Sequence, residues 1–139
     1  MKSKVVVLLI LLSLSVAGCA TTQERLFDSD SSQVQLRSMQ TRTFDTRDKE
    51  KTLRTVISTL QDLGFVIDKA DAVLGTVSAT KLNNYAVRMT VTVRLRGDTQ
   101  LAVRANAQYN IQPVTEPESY QQFFVALEKA MFLTAHQAD

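Results

Sequence analysis

One thiol, one imidazole, three aspartates and four arginines are the side chains whose types and spacing could do chemistry in this chain of 139 residues. Cys19 is its one cysteine and His136 its one histidine, so neither a disulfide framework nor a multi-ligand zinc site is expected. His136 falls on or beyond the end of the last helix, away from the rigid, shielded setting a general base needs. Asp62, Asp68 and Asp71 cluster in sequence and suggest a carboxylate pair or a calcium site. They lack the dense oxygen-ligand spacing of a calcium loop, and helix-end and turn solvation is the simpler expectation. No glycine-rich phosphate loop, G-x-S-x-G elbow or H-E-x-x-H motif is present. Arg88, Arg94, Arg96 and Arg104 are different, because they recur at strand spacing. They make either a solvated sheet face, with long stems covering the β-surface, or a docking face for an acidic partner or anionic head groups. An enzyme is therefore not expected; a binding protein is.

Cys19 takes its meaning from what precedes it. Lys2 and Lys4 form a positive start, Val5 to Leu12 is an unbroken apolar run, and Ser13 to Val16 extends it with small and apolar residues. A bilayer span needs about 20 apolar residues, so this shorter run reads as a secretory signal. It closes on Val16-Ala17-Gly18-Cys19, which resembles the lipobox of bacterial lipoprotein precursors. That resemblance implies cleavage between Gly18 and Cys19 and a diacylglycerol on the Cys19 thiol. An N-acyl chain such as palmitate would follow, with no other cofactor. Ala20 stands where retained inner-membrane lipoproteins often carry Asp, which implies the outer membrane with the domain facing the periplasm. The alternative is an ordinary signal peptide cut near Ala17 or Ala20. Acyl chains at about 0.8 kcal/mol per buried CH₂ would hold the protein on a leaflet. Residues 1–18 are thus the expected signal, 19–33 a polar tether, 34–135 a folded domain and 136–139 a tail. Leu26 and Phe27 interrupt the tether's polarity and offer an alternative as a short docking element.

Composition agrees with this division. Apolar residues at 45% and charged residues at 22% suit a globular domain and exclude global disorder. The net charge of +2 comes wholly from Lys2 and Lys4. Once they leave, fourteen basic residues balance fourteen acidic ones, so bulk basicity gives no reason to expect nucleic acid.

From Val34 onward the periodicity predicts a β-α-β-β-β-β-α order. Val34 to Phe44 reads as a strand with a bulge or twist; Thr46 can cap the next helix, and Asp48 places negative charge in its first turn. Leu53, Val56, Ile57, Leu60 and Leu63 make its apolar stripe, and Gly64 stops it in a Schellman-type end with Phe65 packing back. Phe65 to Asp68 is a short strand, Asp68 to Asp71 a turn, Val73 to Lys81 a strand, and Asn83-Asn84 a second turn. Tyr85 to Arg96 alternates an apolar face with a basic, Thr-rich one. Leu101, Val103, Ala105, Ala107 and Tyr109 continue the apolar face on the following strand. Keeping both faces consistent requires an odd loop, Gly97 to Thr99, that pairs Arg96 with Gln100. Thr115 and Glu118 suggest a capping box. Tyr120, Phe123, Phe124, Leu127 and Met131 then share a helical face, with Val125, Phe132 and Leu133 widening it. The expectation is an α+β fold, an antiparallel sheet of about five strands with two helices on one face.

The run Leu60-Gln61-Asp62-Leu63-Gly64-Phe65, the turn with Asp68 and Asp71, and Gly75 opening a strand resemble the helix-grip domains of bacterial outer-membrane lipoproteins such as BamC. The likeness covers about residues 42–110 and implies fold, compartment and a binding style of function. BamC carries two such domains against one here, so its role in barrel assembly does not transfer. The expected function is to bind an envelope protein partner from a lipid-anchored position on the outer membrane. The alternative is a carrier holding a lipid or other apolar ligand between sheet and helix, lined by Met89, Phe123, Phe124 and Met131.

Overall fold

The computed structural model describes residues 32–136. The expected signal, the lipobox at Gly18 and Cys19, nearly all of the tether and residues 137–139 lie outside the described residues. The chain divides into two compact units, Met1–Gln35 and Leu36–Asp139. Residues 32–35 of the first are described, and they are helical.

Helical residues 32–39 (α1) lead to β1 (Thr41–Phe44), α2 (Lys49–Asp62), β2 (Val66–Asp71), β3 (Thr76–Asn83) and β4 (Tyr85–Arg96). Then follow β5 (Gln100–Tyr109), the two-residue β6 (Gln112–Pro113) and α3 (Pro117–His136). The strands lie in the order β1-β5-β4-β3-β2, with β6 added to β5 and every pairing antiparallel. The fold is α+β with the sheet expected, but its first element differs. Gln35, Leu36, Arg37 and Met39 are good helix formers, and the phase break that suggested a bulge is a helical spacing. The Gln40 N–H closes this turn on the Leu36 carbonyl at 3.0 Å, and Leu36 packs on the core. Residues 32 and 33, expected in the tether, are therefore helical.

Asp48, not Thr46, caps α2. Its carboxylate accepts the Lys51 N–H at 2.9 Å, while the Thr46 hydroxyl accepts the Asp48 N–H. The helix ends as expected: the Phe65 N–H reaches the Leu60 carbonyl and the Gly64 N–H that of Gln61, both at 2.9 Å, with Gly64 at φ +86°. This is the Schellman pattern. The following turn lies later than Asp68 to Asp71. Those residues stay in β2, where the register shifts at Asp68, and the chain turns over residues 72–75 instead. Asp71 holds that turn, its carboxylate accepting the Leu74 N–H and its carbonyl the Gly75 N–H, both at 2.8 Å. Val73, expected in β3, is exposed in the turn. Between β4 and β5, Arg96 pairs with Gln100 across a three-residue loop, the odd length that keeps both faces in phase.

The core forms where α2 and α3 cover one face of the sheet. Leu53, Val56 and Leu60 meet Val77, Ala79, Met89, Val91, Val93, Leu101, Val103, Ala105 and Ala107 there, together with Tyr120, Phe123, Phe124 and Leu127. Each large side chain so buried contributes about 1.5–3 kcal/mol. Helix α3 starts at Pro117, one residue later than a cap at Thr115 requires, with proline in the first-turn position that suits it. It runs through His136, the first residue of the expected tail. Val125 and Phe132 are exposed, and the apolar face of α3 is narrower than its sequence suggests. Polar groups complete the interior. Thr52, Thr55 and Thr59 are buried on α2, each hydroxyl donating to the carbonyl four residues back at 2.8–2.9 Å.

Candidate functional site

Two surfaces have the makings of a site, one on each side of the sheet. On the side away from the helices, register places Arg88 beside Gln108 and Thr80, Thr92 beside Arg104 and Thr76, and Arg94 beside Ala102. Arg104 in turn pairs with Thr41 of β1. None of these residues is buried, so nothing among the described residues covers this face. Its centre is hydroxyl-lined, with the Ser78 and Thr90 side-chain oxygens 3.3 Å apart.

The four arginines share this face, as the alternation in the sequence requires, yet they do not form one cluster. Arg94 and Arg104 are diagonal neighbours across β4 and β5, roughly 7–8 Å apart. Arg96 follows at the hairpin end. Arg88 lies six residues back along β4, about 20 Å away. Arg88, Arg94 and Arg96 are exposed and form no ion pair with a described carboxylate. Arg104 donates to the Gln40 side-chain oxygen at 3.3 Å.

Gln40 was not legible as part of any site. It is buried at the sheet edge, where its amide nitrogen donates to the Tyr120 hydroxyl at 3.1 Å. That hydroxyl donates to the Val114 carbonyl at 2.7 Å and accepts the Ala107 N–H at 3.3 Å. The network ties Arg104 on the open face to the core beneath, and leaves no described buried side-chain polar atom unsatisfied.

On the covered side, a cleft of about 270 Å³ opens between the end of α2, the start of α3 and the sheet. Of the four residues expected to line a ligand cavity, Met89 and Phe123 do so here. Met131 borders a separate groove with Phe44 and Phe132, and Phe124 is fully buried in the core. Tyr85 and Tyr109 stand edge to face at the cleft, ring centroids 5.5 Å apart. The Lys81 ammonium lies 5.8 Å from the Phe65 ring centre and donates to the Leu63 carbonyl at 2.8 Å.

Two of the three aspartates have structural partners. Asp62 is the exposed last residue of α2, Asp68 accepts the Thr80 hydroxyl at 2.6 Å, and Asp71 holds the β2–β3 turn. No group of three His, Cys, Asp or Glu among the described residues could hold a metal ion. None of the described helices is long and apolar enough to cross a membrane. No protein-family model and no curated protein matches this chain, so the meaning of both surfaces rests on their own geometry.

Proposed function

We propose that the protein is a lipid-anchored outer-membrane lipoprotein whose periplasmic domain binds an acidic surface of another envelope protein, without catalysis. The observation that carries the reading is the open sheet face, where Arg94, Arg96 and Arg104 converge at one hairpin with no described carboxylate paired to them. Arginine's planar fork recognises carboxylates, and its side chain is among those enriched at binding hot spots. The lipobox supplies the other half of the mechanism. An anchor at Cys19 confines the domain beside the membrane and raises its effective concentration near a membrane partner.

Metabolic labelling with palmitate tests the anchor. The native chain takes up label and fractionates with the outer membrane. Cys19→Ala loses the label, leaves the membrane fraction, and loses most cross-linking to envelope proteins. Unchanged fractionation and cross-linking in Cys19→Ala would overturn the tethering mechanism.

A further inference from the structure

The cleft on the covered side has a chemistry that the arginine face does not share. Its lining is mixed: Val87, Met89 and Ala107 from the sheet, Phe123 from α3 and Phe65 after α2 make an apolar part, and Asn84, Ser119 and Gln122 a polar one. One charged side chain, Lys81, stands among its lining residues, and no carboxylate does. The Lys81 ammonium gives one hydrogen bond to the Leu63 carbonyl. Two further donors remain for a ligand.

We propose that this cleft binds a small monoanionic amphiphile, its head group hydrogen-bonded to Lys81 and its tail lying over Val87, Met89 and Phe123. The volume sets the size. At about 270 Å³ the cleft lies near the lower end of small-molecule sites, which suits a medium-chain carboxylate and not a complete diacyl lipid. The charge sets the head group, since a cleft whose one charged side chain is a cation favours an anion over a neutral alcohol of equal length. This site is independent of the arginine face, because the two lie on opposite sides of the sheet.

The full chain in phosphatidylcholine vesicles is titrated with octanoate and, separately, with octanol, with protein-free vesicles as the blank. Tyrosine emission is the readout, because the chain has no Trp and two of its three Tyr line the cleft. The expected result is a saturable response to octanoate with a half-point about tenfold below that of octanol. Lys81→Met raises the octanoate half-point about tenfold and leaves the octanol value unchanged. Ser119→Phe, at a half-buried rim position on α3, fills the cleft and removes saturation by both ligands with the far-UV circular dichroism intact. Equal half-points for the two ligands, no saturable response in a folded native chain, or an unaltered response in Ser119→Phe would each overturn the proposal.

Discussion

Gly75 is the residue at which backbone conformation and packing constrain the chain together. Its φ of +71° belongs to the left-handed region, and a Cβ built there would stand 2.4 Å from the Val93 carbonyl oxygen. That carbonyl cannot move aside without disturbing β4, and the Gly75 carbonyl itself accepts the Val93 N–H at 2.7 Å. Gly97 has a similar φ of +62° but nothing within 4 Å of the same position. Gly75→Ala is therefore expected to cost about 2–4 kcal/mol, conformation plus overpacking, and Gly97→Ala only about 1 kcal/mol. Urea unfolding of the two variants checks this, and equal losses would contradict it. Gly75 was legible as the residue that opens a strand; its close approach to β4 shows in the structure. Gln40 and the Tyr120 hydroxyl were not legible. Their importance comes from a hydrogen bond spanning eighty sequence positions, for which local spacing leaves no trace.

Among the elements, those carrying a complete local pattern were read correctly and those lacking one were not. Helix α2 has its stripe, its glycine stop and its returning Phe65, all of which reappear in the structure. Its buried Thr52, Thr55 and Thr59 share that spacing, but hydroxyls that satisfy themselves on the preceding turn do not count as apolar in a sequence. Helix α1 was mistaken for a strand because three spaced apolar residues, Val34, Leu36 and Met39, fit either period poorly. The β4–β5 hairpin is the sharpest success, since its loop length followed from phase alone. Deleting Asp98 leaves Gly97 and Thr99 as a two-residue loop with Arg96 still opposite Gln100 and Leu95 opposite Leu101, so both apolar faces stay in phase. The expected outcome is cooperative thermal unfolding, with the midpoint lowered only by the tighter turn. A variant that lost cooperative unfolding would show that the length of the loop, and not the phase of the two strands, fixes the register.

For the whole molecule, the lack of net charge in the chain from Cys19 onward matters less than where the charge lies. Among the described residues, two helices cover one side of the sheet and none covers the other, which has hydroxyls at its centre and arginines toward both ends. Alternation in the sequence revealed that the arginines share a face. Their division into a group at the hairpin and a distant Arg88 needed the pairing register. The central claim, an acidic partner docked on the open face, is tested most directly by photocross-linking in cells expressing the full chain. A photoreactive amino acid replaces Ala102, beside Arg94 on the open face, or Val125, exposed on α3. The account predicts a discrete envelope-protein adduct from position 102, none from position 125, and loss of the adduct when Arg94→Glu and Arg96→Glu are combined. Equal adducts from the two positions, or an adduct that survives the charge reversal, would contradict it.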